Sequence, residues 1–188
     1  MALIKWDFDT IHSHVGFTVR HLVVSKVRGS FNKWSGSLQF DGKNPLTASV
    51  EVKIDPASID TNEAQRDAHL RSADFFDVEK FPEWTFKSTG VTKGSDETFK
   101  LAGNLTLHGV TKPVVLDVEF GGVMRDPYGN DRAGFTAKVT IDRKDFGVLW
   151  NQALDVGGVA LGEKVEIAID IEATTRPVEV TTSQTASP

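Results

Sequence analysis

The sequence contains no cysteine. That one absence removes disulfides, thiolate zinc sites, iron–sulfur clusters and thiol nucleophiles, and leaves the redox compartment undecided. Positive charge is not in excess either: 21 Lys and Arg against 26 Asp and Glu give a formal net charge of −5. A nucleic-acid or anionic-membrane binder needs a basic footprint, so no nucleic-acid partner is expected. No stretch approaches the ~20 apolar residues of a membrane-spanning helix, so no transmembrane segment is expected. The first seven residues, from Met1 to Asp7, lack the basic start, long apolar run and small-residue cleavage site of a secretory leader. As written, the chain reads as cytoplasmic. A mature domain restarted behind a new Met1 would look the same, and the periplasm is the alternative.

What is present is ordinary globular material: 188 residues, 39% hydrophobic and 25% charged, long enough to bury a core without staples. There is no internal repeat and no linker long enough to split the chain, so residues 1–173 read as one domain. Residues 174–188, rich in Thr and Ser without apolar period, read as a flexible tail.

Most of the chain alternates with period two, the mark of half-buried strands. Val50, Val52 and Ile54 alternate with Glu51 and Lys53. Phe99 to Leu107 carries its apolar set on odd positions, and Leu116, Val118 and Phe120 alternate with Asp117 and Glu119. Phe135, Ala137, Val139 and Ile141 share a face, as do Val165, Ile167, Ile169 and Ile171, and earlier Val15, Phe17 and Val19. Between Val27 and Phe40 the phase changes, from Val27, Gly29 and Phe31 to Trp34, Leu38 and Phe40. A bulge near Asn32-Lys33 would absorb the extra residue and bend the strand. Asp41-Gly42, Lys93 to Asp96, His108-Gly109 and Asp126 to Asn130 supply turn chemistry for antiparallel connections. Thr61 to Arg71 has helical composition, and Asn62 with Gln65 resembles a capping box. A second irregular region runs from Arg143 to Gly158.

About eight such strands need one face covered, by a second sheet in a sandwich or by closure into a barrel. At that number a barrel is just wide enough for side chains or for one small ligand. Alternation reports burial rather than emptiness, so by pattern alone the inward residues are core. Composition and spacing stop at an all-β barrel or sandwich.

Specific segments carry more. Asp9-x-x-His12-Ser13-His14-Val15-x-Phe17-x-Val19-x-His21-Leu22, Gly29-Ser30-Phe31 and Ser58-Ile59-Asp60-Thr61 are followed by Arg66-Asp67-x-His69-Leu70-Arg71-Ser72-x-Asp74-Phe75-Phe76-Asp77. Then come Phe81-Pro82, Phe86-x-Ser88-Thr89, Gly103 to Thr111, and Arg143-x-Asp145-Phe146-Gly147. Together, over residues 6–173, they resemble the YceI-like family of lipocalin-like, polyisoprenoid-binding proteins of bacteria. The resemblance implies an extended antiparallel eight-stranded β-barrel with one or two short helices packed beside it. It further implies an apolar tunnel holding an isoprenoid lipid, a quinone tail or polyprenyl chain, with no other cofactor, no metal and no catalysis. The residues suited to line such a tunnel are Phe17, Val19, Phe31, Phe40, Val52, Phe86, Leu105, Leu107, Phe120 and Ile141, with Trp150 at one mouth. The role would be storage or transport, and a homodimer is left open.

Two other readings compete. His12, His14 and His69, with Ser13 or Asp67, could form a metal- or His-dependent enzyme site, although no HExxH or GxSxG context supports it. Alternatively the barrel is filled and serves as a protein-interaction module. Arg66 and Asp67 are expected to anchor the helix, Asp67 or Asp74 to pair with an arginine, and His69 to bond backbone carbonyls. Phe75 and Phe76 would cap the barrel or form a contact patch, and Arg143 and Asp145 would be either anchors or grips for a head group.

Overall fold

The computed structural model describes residues 3–22, 24–95, 98–155 and 157–175. Among them the strands are β1 (Ile4–Phe8), β2 (His14–His21), β3 (Ser25–Phe31), β4 (Trp34–Phe40), β5 (Ser49–Ile54), β6 (Ile59–Asp60), β7 (Trp84–Lys93), β8 (Thr98–Leu107), β9 (Val110–Arg125), β10 (Asp131–Asp142) and β11 (Leu161–Thr175). One α-helix, α1, spans Ala64–Arg71. No helix among the described residues is long and apolar enough to cross a membrane.

Six of these strands combine into three bent staves. β1 and β2 both pair along β11, with Phe8 opposite Ala173 and His14 opposite Asp170. β3 and β4 meet at Asn32-Lys33, where the phase change in the sequence called for a bend; Phe31 and Trp34 both point inward across it. β5 continues into β6 through a 3-10 turn at Pro56–Ser58, capped by the Asp55 carboxylate accepting from Ala57 N. With β7 to β11 these make eight antiparallel staves in meander order, closed by the pairing of the first stave with β11. Closure removes the sheet's edges, and the fold is lipocalin-like.

Local chemistry sets the connections. β8 and β9 join through His108 (φ +50°) and Gly109 (φ +74°), the left-handed pair that matches strand twist in a two-residue hairpin. The connection from β4 to β5 is longer than a tight Asp41-Gly42 hairpin, because a 3-10 turn at Pro45–Thr47 is inserted. Of the expected turn at Lys93 to Asp96, Asp96 lies outside the described residues, as does Val156 of the second irregular region. β11 runs through Thr174 and Thr175, which pair with Arg132 and Asp131; residues 176–188 of the expected tail lie outside the described residues.

The helix begins one residue later than its cap was expected. Glu63, not Asn62, caps α1, accepting from Gln65 N and Arg66 N. Asn62 instead takes a left-handed turn (φ +60°), which asparagine tolerates better than most side chains.

Candidate functional site

Inward-facing residues of all eight staves surround a cavity of about 460 Å³, within the ~300–1,000 Å³ typical of small-molecule sites. The wall is aliphatic and aromatic. Val15, Phe17 and Val19 come from β2, Phe31 from β3, Val52 from β5 and Trp84 and Phe86 from β7. Leu105 and Leu107 of β8, Leu116 and Val118 of β9, Val139 and Ile141 of β10, and Ile167 and Ile169 of β11 complete it. Val52, Leu101, Val139, Ile167 and Ile169 are only partly buried although they face inward. Their residual exposure is to the hollow. The barrel is not a filled core.

Of the residues expected to line a tunnel, Phe17, Val19, Phe31, Val52, Phe86, Leu105, Leu107, Ile141 and Trp150 all stand on this wall. Phe40 and Phe120 do not. They belong to a plug at the far end, where Trp6, Leu38, Phe40, Ala133 and Ala173 are buried together. Phe40 is fully buried, its ring 4.9 Å from that of Trp6 and 6.0 Å from that of Phe120. Period two identified the inward face but not the depth along the barrel axis. Sequence reasoning also missed β1, whose alternation of Ile4, Trp6 and Phe8 with Lys5 and Asp7 was the available signal.

The other end carries the polar wall residues. Thr61, Arg66, His69, His21, Arg143 and Gln152 line the cavity, and among the described residues no aspartate or glutamate does. α1 is anchored there as expected, but through Thr61. Buried Asp67 accepts from Thr61 N (2.9 Å) and Oγ1 (2.6 Å), while Arg66 donates to Thr61 Oγ1 and O, each at 2.7 Å. Among the described residues neither Asp67 nor Asp74 pairs with an arginine. Asp74 binds His69 Nε2 at 2.9 Å, so the imidazole meets a carboxylate rather than the expected backbone carbonyls. The His69 ring packs against Phe75 and Trp150, at 5.0 and 4.9 Å. Phe75 is buried and Phe76 packs on Phe31 and Trp84, so both cap the barrel.

Arg143 lies among the backbone carbonyls of Val148, Trp150 and Gly162. It is 94% buried, being 6% exposed. Nε donates to Gly162 O (2.9 Å), and Nη1 to Val148 O (2.7 Å) and Trp150 O (2.8 Å). Nη2 is buried and has no hydrogen-bond partner among the described residues. Burial pulls its pKa down against the opposing fields of Glu163 and Asp142, yet a guanidinium stays charged at neutral pH.

The histidines and Ser13 do not assemble into a catalytic site. Ser13 Oγ is tied to the Glu172 backbone, donating to its O (3.3 Å) and accepting from its N (2.9 Å). His12 binds Asp9 at 2.9 Å, whereas His69 stands on α1 with Asp74. Asp9, His12 and Glu172 have metal-compatible spacing, but Arg132 bridges Asp9 and Glu172 and is already the cation among them. Hydrogen bonding from His12, then from Arg132, holds the Asp9 carboxyl at about 2 against the cost of burial.

Over residues 6–173 the sequence matches the YceI-like domain. The chain belongs to the YceI-like family. Among its relatives, a UPF0312 protein of Pectobacterium atrosepticum is 46% identical over 171 residues, 91% of this chain and 85% of the relative. The crystal structure of the Campylobacter jejuni YceI protein superposes with a TM-score of 0.71 at 32% identity, over 84% of this chain and 90% of that one. A polyisoprenoid binding domain from Saccharophagus degradans shares the fold with a TM-score of 0.64 at 15% identity, over 94% of this chain and all of that one (100%). This YceI-like chain therefore has a lipocalin-like barrel whose hollow suits an apolar ligand.

Proposed function

We propose that the protein is a non-enzymatic carrier or store for an isoprenoid lipid, its quinone or polyprenyl chain lying in the barrel. The observation that carries this reading is the hollow itself, about 460 Å³ walled by aliphatic and aromatic side chains from every stave. Burying a chain there stabilises the complex by roughly 0.8 kcal/mol per methylene-sized group before ordering costs. Affinity of that kind needs no ion and no catalytic group. The branched methyls of an isoprenoid suit a wall of Val, Ile, Leu and Phe, and the fold-level likeness to a polyisoprenoid binding domain supports the same class.

A filled interaction module would have no use for the hollow, and of the histidines the enzyme reading calls on, His12 is bound to Asp9 and His69 to Asp74. Organic extraction of protein purified without detergent, followed by mass spectrometry, tests the reading. A prenylated lipid near one equivalent per chain is expected. Extracts holding only fatty acids or no lipid, together with failure to take up added prenyl lipids, would overturn it.

A further inference from the structure

Among the described residues that line the hollow only Gln152 is exposed, so the opening to solvent lies beside it. Two segments frame that opening and are bonded together: Leu22 N donates to Ala160 O at 2.8 Å, and Ala160 N to Gln152 O at 2.9 Å. Both segments are short of charge. From Phe146 to Gly162 the single charged residue is Asp155, and from His21 to Ser25 there is no lysine, arginine or acid. What they expose instead is large and apolar: Leu22 and Val24 in the turn between β2 and β3, Leu149 and Val159 in the other segment. Val24 is 87% exposed and Leu149 63%. Scattered singly such side chains need no explanation, but grouped around the opening of an apolar hollow they mark a contact surface.

The charge behind this rim is one-sided. The chain has a net charge of −5, yet between Asp9 and Asp41 it carries four lysines and arginines and no acid. Arg20, Lys26 and Arg28 are exposed on the outer face of β2 and β3, since their strand neighbours Val19 and Val27 line the hollow. Lys26 meets Glu166 of β11, while Arg20 and Arg28 have no ion pair among the described residues. An apolar tip with basic shoulders suits the interface of a bilayer, where apolar side chains enter the acyl region and cations meet phosphates. We infer that the rim formed by the β2–β3 turn and the stretch around Leu149 and Val159 docks on a lipid bilayer, with Arg20, Lys26 and Arg28 facing the head-group phosphates. The inference rests on the carrier reading and adds the place of exchange. Docked in this way, the opening beside Gln152 faces the membrane, and cargo passes from acyl chains to apolar wall without crossing water.

Flotation of the whole protein with phosphatidylcholine vesicles, and with vesicles containing about one-third phosphatidylglycerol, tests the docking without any cargo. Binding to both is expected, and stronger binding to the anionic vesicles. Val24→Glu and Leu149→Glu, on separate segments, should each lower the bound fraction about fivefold or more on both vesicles, because a carboxylate would have to enter the apolar layer. Replacing both Arg20 and Arg28 with glutamine should cancel only the gain from anionic lipid. Met124→Glu is the control: Met124 is 77% exposed on β9 opposite Arg132, away from the rim, and the variant should float as wild type does. All these side chains are exposed, so each variant should keep the wild-type Tm and the same extractable lipid.

Absence of wild-type flotation overturns the docking, as does flotation that both rim variants leave unchanged or that Met124→Glu weakens equally. Binding confined to anionic vesicles and insensitive to the rim variants overturns the apolar contact. A rim that joins two copies of the chain overturns it too, and would show in sedimentation as a dimer that Val24→Glu dissociates while vesicles go unbound. A prenyl lipid in the organic extract upholds the carrier reading whichever way flotation falls. Flotation by a protein that neither holds nor takes up prenyl lipid would overturn carriage alone.

Discussion

At the scale of single residues, two kinds of inward phenylalanine do different work. Phe40 sits in the closed plug with no surface left to the hollow, so Phe40→Ala removes packing and leaves a void. A loss of about 3–5 kcal/mol in stability is expected, read as a fall in the urea midpoint. Lipid content per folded chain should be unchanged. Ala137 stands on the wall, and Ala137→Phe fills hollow rather than core. Stability should change little, yet extractable lipid should fall at least severalfold. If the two variants behaved alike, the division between plug and wall would be wrong. Gly29 shows why the wall is where it is: a Cβ there would lie 2.5 Å from the Phe17 ring and 2.9 Å from Thr61 Cγ2, so the ring rests directly on bare backbone. Nearly all of this wall was legible, because period two separates inward from outward without knowledge of the fold. What the sequence could not express was position along the axis, and Phe40 and Phe120 were misplaced on that account. The capping role of Glu63 was missed for a similar reason, since Asn62 has the better cap chemistry and only the backbone shows that it turns left-handed.

At the scale of elements, Arg132 ties three separate pieces together beside the plug. Its guanidinium meets Asp9 in the break between β1 and β2, Asp126 in the hairpin from β9 to β10, and Glu172 on β11. These contacts raise the arginine's own pKa, its hydrogen bond to Asp126 contributing most, then those to Asp9 and Glu172. Burial pushes Asp126 up, but hydrogen bonds from Asn130, Arg132 and Tyr128 N together hold it at about 2. Asp9 is also held at about 2. Carboxyls depressed in the folded state contribute stability above their unfolded pKa of ~3.9, and that stability is lost as pH falls through the folded value. The native protein should therefore lose stability steeply between about pH 4 and pH 2. In Arg132→Met both carboxyls move back toward ordinary values. The variant should be less stable at pH 7 and should show a shallower decline across that acid window, as urea midpoints at pH 7, 4 and 2.5 would reveal. An unchanged slope would mean that the cluster contributes no pH-linked stability. The cluster could not be read from the sequence: Asp126 and Arg132 share one hairpin, but Asp9 and Glu172 lie 123 and 40 positions from Arg132 and no local spacing joins them to it.

At the scale of the whole molecule, the closed sheet and its hollow have opposing consequences. Closure pairs every stave and removes sticky edges, while the hollow leaves apolar wall without packing partners, forgoing the dispersion contacts that a filled core would gain. The hairpins, alternation and bend that shape the barrel are all local signals, which is why the architecture was readable to within the choice of sandwich or barrel that the family resemblance narrowed. Whether the interior is empty is a global property of eight staves at once, and no window of sequence reports it. The same property makes stability depend on cargo. A ligand that binds only the folded state adds RT ln(1 + [L]/Kd), about 2.7 kcal/mol at a hundredfold excess over Kd. For a domain of this length each kcal/mol moves Tm by about 2–4 °C. Delipidated protein should therefore melt roughly 5–10 °C below the same protein with saturating prenyl lipid. The gap should close for Ala137→Phe, whose own ring occupies part of the hollow, and persist for Phe40→Ala at a lower absolute Tm. Differential scanning calorimetry on the three proteins, each with and without lipid, separates loss of cargo from loss of core. A wild-type Tm indifferent to lipid would mean that the apolar wall gains nothing from being filled, and the barrel would then be no carrier.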